Sequence, residues 1–121
     1  MLGLTIGEKM SCIFCQILNK VIQTDTIFEN TQLIIFHDIK PQAPTHLLIV
    51  PKQHIATIDD IQSNHQALLG EMILAAKHQA QQFQLIAGYR LVFNVNHAGG
   101  QEINHIHLHL LGGRQLTWPP G

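Results

Sequence analysis

The sequence predicts an α+β domain built on an antiparallel sheet of about five strands, with one long and one short helix. Three observations predict it. Short runs rich in branched and aromatic residues follow one another with turn-forming residues between them. One long segment repeats its apolar residues at three- and four-residue spacing. The run Asn104-His105-Ile106-His107-Leu108-His109-Leu110-Leu111 alternates apolar and polar residues in the period of a strand. Strands in hairpin-like succession with a single long helix belong to the α+β class.

Cys12 to Asn19 reads as a short helix, because Ile13, Phe14, Ile17 and Leu18 form an apolar stripe. Thr26–Glu29 reads as a strand that turns at Asn30-Thr31 into a second strand, Gln32–His37. Asp38–Pro44 is a loop, since Pro41 and Pro44 cannot donate to a ladder. His46–Pro51 is a third strand, ended by its proline. Ser63-x-x-Gln66 has the form of a capping box, and a long helix to about Gln84 should follow it. That helix would bury Leu68, Leu69, Met72, Ile73, Ala76, Ala80 and Phe83, with Gly88 as a stop soon afterwards. Tyr89–Asn96 alternates as a strand, His97–Gly100 turns, and the histidine-bearing strand completes the sheet. Residues 112–121 form a tail too rich in Gly and Pro for regular structure. Its Trp118 calls for a packing surface on its own domain or on a partner chain.

Length and composition narrow the function. A chain of 121 residues supports one core, not two. Met10-Ser11-Cys12 reads as a start, which makes residues 1–10 an N-terminal extension and 11–121 the single domain. An apolar content of 45% with 12% charged residues describes a compact globular protein. A formal net charge of −1 argues against a nucleic-acid surface, and no apolar run is long enough for a membrane span. The first ten residues lack the layout of a secretory signal, so the expected location is cytoplasmic. Cys12 and Cys15 form one CxxC. In a reducing compartment this leaves a thiol pair, a redox motif, half of a zinc site, or simply two small side chains packed on a short helix.

The alternating histidines carry the chemistry. As a strand, the run places His105, His107 and His109 on one face, about 6–7 Å apart, and Ile106, Leu108 and Leu110 on the other. A metal wants converging nitrogens, whereas alternate positions on one strand diverge; two of the three can share an ion. A phosphate accepts hydrogen bonds at several oxygens and suits the row better. A neutral imidazole can also attack phosphorus if another group fixes its tautomer. His107, with a neighbour on each side, is the natural nucleophile for phosphoryl or nucleotidyl transfer. For His37, His54, His65, His78 and His97 an ordinary surface or hydrogen-bonded role is the expectation.

His105-x-His107-x-His109, with apolar residues between and after, resembles the signature of the histidine-triad (HIT) superfamily. Asp38-Ile39-x-Pro41-Gln42-Ala43-Pro44-Thr45-His46, Gly99-Gly100-Gln101 and Gly112-Gly113-Arg114-Gln115-x-x-Trp118-Pro119-Pro120-Gly121 are similar to its Hint branch, the purine nucleoside phosphoramidases. The likeness runs from about Cys12 to Gly121. It implies a HIT-like fold, with the sheet extended across a homodimer and the tail reaching the partner's site. It implies attack by His107 on the α-phosphorus of a purine nucleoside 5′-phosphoramidate, expulsion of the amine, and hydrolysis of the nucleotidyl-histidine. Under this likeness His46 supports the charge of His107 through a hydrogen-bonded relay, with His105 nearby. His109 and Asn94 contact phosphate oxygens together with main-chain amides near Gly100 and Gln101. Asp38 receives the ribose hydroxyls, and Phe14, Ile17 and Ile39 flank the base, with Phe36 and Leu48 as further candidates. Trp118 belongs to substrate selection.

No cofactor is required for this chemistry. Some superfamily members bind a structural zinc through two N-terminal cysteines and two histidines, which would be Cys12, Cys15, His46 and His105 here. Those histidines also serve the relay, so the two assignments compete. Glu102 stands where many eukaryotic members have a serine that touches the leaving group; its carboxylate favours neutral or cationic amines over anionic leaving groups. A dinucleoside polyphosphate hydrolase and a nucleotide-binding scaffold are the competing functions.

Overall fold

The computed structural model describes residues 12–121, so the expected extension at residues 1–10 lies outside the described residues. Helix α1 spans Ile13–Leu18, strand β1 Thr26–Glu29, β2 Leu33–His37 and β3 Thr45–Pro51. Helix α2 spans Gln66–Gln82, and strands β4 and β5 span Tyr89–Val92 and Leu108–Gly112. The five strands form one sheet in the order β1-β2-β3-β5-β4, and each neighbouring pair is antiparallel. The predicted α+β class, with one long and one short helix, is what the chain adopts.

Residues Leu33–Phe36 of β2 and Leu47–Pro51 of β3 are apolar without interruption because both faces of the sheet are covered there. Leu33, Ile35, Leu47 and Ile49 join Leu108, Leu110, Met72, Ala76 and Ala80 on the side of α2. Ile34, Phe36, Leu48 and Val50 point the other way, against Phe14, Ile17, Cys12 and Cys15 of the α1 region. Every second residue of a strand therefore serves a different core. Burying a fully enclosed Leu or Ile side chain contributes about 1.5–3 kcal/mol, so each face has its own source of stability.

Four details depart from expectation. The helix does not begin on a Ser63 box: a 3₁₀ turn at Ser63–His65 precedes it, and the Gln62 N–H donates to His65 Nδ1 at 2.9 Å. Ile73 is 48% exposed, because Met72, Ala76 and Ala80 already define the buried stripe. The strand at Tyr89 ends at Val92 rather than Asn96. β5 begins only at Leu108. Its ladder with β3 ends at the Ile49–Leu108 pair, close to Pro51, which has no N–H to continue it. The Ile106 N–H turns instead to the Ile55 carbonyl at 2.7 Å. The alternation of faces survives this loss of regular pairing: Ile106 still joins the α2-side core.

Candidate active site

The α1 side of the sheet carries a cavity of about 470 Å³, a size suited to a small organic ligand. Its walls include Phe14 and Ile17 of α1, Phe36 and Leu48 of the sheet, Asp38, Ile39, His46, Asn94, Gly100, Glu102, His107 and His109. Most residues expected to touch substrate thus meet around one space, although their sequence positions span most of the chain. Ile13, Ile22, Lys40 and Ile103 also line it and were not anticipated.

Backbone groups dictate which ring nitrogen carries hydrogen in each site histidine. His107 Nδ1 lies 2.7 Å from the His105 carbonyl. A carbonyl only accepts, so Nδ1 donates and the Nε2 lone pair is left open. The Gln42 N–H donates to His46 Nδ1 at 3.0 Å, which places the hydrogen of neutral His46 on Nε2. That nitrogen is 2.9 Å from His109 Nδ1, which must then accept. The remaining hydrogen of His109 is on Nε2, a buried atom with no hydrogen-bond partner among the described residues. The rings of His107 and His109 meet edge to face, with centroids 4.9 Å apart. Two neighbouring rings of the cavity wall thus differ: His107 carries its lone pair on Nε2 and His109 its hydrogen on Nε2.

Burial keeps these rings neutral. Desolvation depresses His107, against opposing pulls from the His105 carbonyl and the charges of Asp38 and Glu102. It also lowers His46, partly offset by Asp38, whose Oδ2 lies 3.5 Å from His46 Nε2. His109 is pushed down to about 4, first by burial and then by its neighbours His107 and His46. A neutral imidazole offers one donor and one acceptor, as the chain Gln42–His46–His109 requires.

His105 belongs elsewhere. Its ring is buried away from the cavity, and its Nε2 donates to the Pro51 carbonyl at 2.8 Å. The Nδ1 lone pair consequently faces Cys12 Sγ at 3.4 Å and Cys15 Sγ at 3.7 Å. His54 Nδ1 lies 3.3 Å from Cys15 Sγ. The four ligand atoms of Cys12, Cys15, His54 and His105 lie within 4.8 Å of one another. Two sulfurs and two imidazole nitrogens form a donor set that zinc accepts, and a ligating histidine normally gives its other N–H to a carbonyl, as His105 does. The residues present fit the ion.

This arrangement corrects the expected ligand set. His54, read from sequence as an ordinary histidine, occupies the place given to His46, and His46 bonds His109 instead. The competition for His46 and His105 disappears: one histidine goes to each side. The relay from His46 likewise ends on His109 rather than on His107.

The expectations for Gly100 and Gln101 change. The Gly100 and Gln101 main-chain amides donate to the His97 and Asn96 carbonyls at 3.0 and 3.1 Å, so neither is open to a phosphate. The Gln101 side chain is buried and braces its own loop, donating to the Ala56 and Ile103 carbonyls at 2.7 and 3.0 Å. Trp118, expected at a partner's site, does not line the cavity of its own chain and is 83% exposed there, because the tail leaves the sheet after Gly112.

Comparison with known proteins follows the same lines. The family model described as "Scavenger mRNA decapping enzyme C-term binding" matches residues 11–117. An uncharacterized HIT-like protein of Synechococcus elongatus is 48% identical over 109 residues, 90% of this chain and 96% of that protein. The purine nucleoside phosphoramidase of Escherichia coli is 46% identical over 105 residues, 86% of this chain and 88% of that protein. Among solved structures, a HIT family hydrolase from Legionella pneumophila superposes with a TM-score of 0.90 at 57% identity, covering 91% of this chain and 99% of the other.

Proposed function

The chain belongs to the histidine-triad superfamily of hydrolases, and we propose that its reaction is the hydrolysis of purine nucleoside 5′-phosphoramidates to the nucleoside monophosphate and an amine. The observation that carries this reading is the pair formed by the open Nε2 lone pair of His107 and the unpartnered Nε2–H of His109. The first is a nucleophile; the second is a fixed donor for the charge that develops on phosphoryl oxygen. The named activity of the Escherichia coli relative points the same way.

In the proposed reaction His107 Nε2 attacks the α-phosphorus. The P–Nε2 bond forms as the P–N bond breaks, and the departing nitrogen, having taken one proton from solvent, leaves as the neutral amine. Nδ1 keeps its hydrogen, so the nucleotidylated ring is cationic. Its charge is met by the His105 carbonyl at 2.7 Å and by the carboxylates of Asp38 and Glu102. Water then attacks phosphorus, the P–Nε2 bond breaks with its electron pair returning to Nε2, one water proton passes to solvent, and neutral His107 is regenerated with release of the monophosphate. The His109 N–H and the Asn94 side chain steady the phosphoryl oxygens in both steps. A donor held in place before reaction stabilises developing charge without reorganisation.

Phe14, Ile17 and Ile39 supply an apolar slot for the base, with Phe36 and Leu48 behind it, and Asp38 takes the ribose hydroxyls. Glu102 biases the site toward neutral and cationic amines. Zinc, when bound by Cys12, Cys15, His54 and His105, supplies a structural tie between α1 and the His105 segment, since four protein ligands leave no position for substrate. Homodimerisation completes the proposal. β4 is an edge of the sheet in the single chain, and the exposed Trp118 is free to pack on a partner's site.

Turnover of adenosine 5′-phosphoramidate compared with diadenosine polyphosphate tests the reading. The phosphoramidate should be the better substrate by kcat/KM. Preferred cleavage of the polyphosphate would assign the chain to a different hydrolase class.

A further inference from the structure

We propose that Arg114, an exposed residue of the C-terminal tail, is a positioning residue that holds the His46–His109 pair in its working tautomers. The Arg114 guanidinium closes on the Gln42 carbonyl from two nitrogens, Nε at 3.3 Å and Nη2 at 3.0 Å. The N–H of that same residue donates to His46 Nδ1. Four links thus join the tail to the cavity: Arg114 to the Gln42 carbonyl, the Gln42 N–H to His46, His46 to His109, and the His109 N–H to the ligand space.

The loop needs an external brace. Within it, the Gln42 side-chain amide donates to the Lys40 carbonyl at 3.0 Å, and the Lys40 N–H donates to Asp38 Oδ1 at 2.8 Å. Both bonds lie inside the loop and move with it. Arg114 reaches in from another part of the chain. Its neighbour Gly113 makes that approach possible: it holds φ +94, and a Cβ there would lie 2.9 Å from Pro44 Cβ. A left-handed glycine lets the tail turn flat against the Pro41–Pro44 loop.

The consequence is chemical. A main-chain N–H cannot accept a hydrogen bond, so while it faces His46 Nδ1 only one tautomer of neutral His46 satisfies the contact. If Gln42 swings away, only the longer contact of the Asp38 carboxylate, 3.5 Å from Nε2, still favours one tautomer of His46, and the other becomes populated. His109 loses its fixed partner, and its Nε2 is no longer always a donor. Arg114 would then act on the rate without touching substrate. The effect on turnover presupposes the phosphoramidase reading; the effect on the tautomers does not.

The test uses the full-length protein, with Arg114→Ala and Arg114→Lys beside the wild type. Adenosine 5′-phosphoramidate serves for kinetics, adenosine monophosphate for binding, and imidazole ¹⁵N shifts report the tautomers. For R114A the expected result is a fall in kcat on the order of tenfold, part of the roughly 10²- to 10⁴-fold that a positioned proton-handling group contributes. KM and monophosphate affinity should stay within about twofold, and the His46 and His109 shifts should report mixed tautomers. R114K retains a donor for the carbonyl and should recover most of both signals. Wild-type tautomers in R114A overturn the proposal whatever happens to the rate. Loss of monophosphate affinity with unchanged kcat overturns it too, by giving the tail a role in binding alone. If the wild type fails to turn over the phosphoramidate, the proposed function fails and the tautomer measurement still decides this inference.

Discussion

His105 and His109 lie four residues apart on one segment, and they are put to opposite uses. The His105 ring is sealed against two thiols and a second histidine, with its outer nitrogen tied to the Pro51 carbonyl. The His109 ring faces a cavity, with its inner nitrogen tied to His46 and its outer N–H unpartnered. Between them His107 has a main-chain tie on Nδ1 alone. The residue type is the same in all three; the elements that reach each ring differ. A backbone carbonyl chooses the tautomer of His105 and of His107, and the Gln42 amide, acting through His46, chooses that of His109; the proposed parts of ligand, nucleophile and donor follow from those tautomers.

Substitutions can break that contrast. The largest effect belongs to His107→Asn, which keeps a polar side chain but removes the proposed nucleophile. It should lower kcat by roughly 10⁴-fold or more, with monophosphate affinity near that of the wild type. His109→Ala removes one donor to the phosphoryl group and should cost about 10²- to 10³-fold in kcat. If the two losses fall in the reverse order in steady-state assays, the division of labour is wrong.

On the sealed side the signature is stability and metal content. Protein purified without added metal should carry about one zinc per chain. His54→Ala should lose it and lower the melting temperature by on the order of 10 °C. His46→Ala should keep its zinc and lose activity instead. Zinc retained in H54A and lost in H46A would restore the ligand set expected from sequence. The smallest effect concerns Glu102. Exchanging it for serine should reduce the preference for cationic over anionic amine leaving groups by about three- to tenfold, the size of one partly screened charge contact. An unchanged preference would remove Glu102 from selectivity.

Much of this was legible in the sequence, and the parts that were not share a cause. Alternation showed the two faces of Ile106–His109, because a period of two survives even where the ladder stops. Both helices and all five strands were visible in periodicity and turn residues. The cavity lining came from motifs, since Asp38, His46, Asn94 and the histidine segment meet wherever this sheet forms. His54 was hidden because nothing local marks it: a CxxC shows half a ligand set, and only the path of the chain after Pro51 selects the partner among nine histidines. The engaged amides of Gly100 and Gln101 were hidden for a related reason. Where a main-chain hydrogen bond goes depends on the folded loop, not on the identity of its residues. Arg114 fell in a segment that has no periodicity at all, so its contact with Gln42 had no sequence signal.

The account rests on covalent attack by one ring nitrogen. Rapid mixing of the full-length protein with a purine nucleoside 5′-phosphoramidate, acid-free quenching and intact-mass analysis, followed by peptide mapping, tests it most directly. The predicted result is a transient adduct of one nucleotidyl group, located on His107 and absent in His107→Asn. Turnover at the wild-type rate with no adduct, or an adduct placed on His105 or His109, would contradict it.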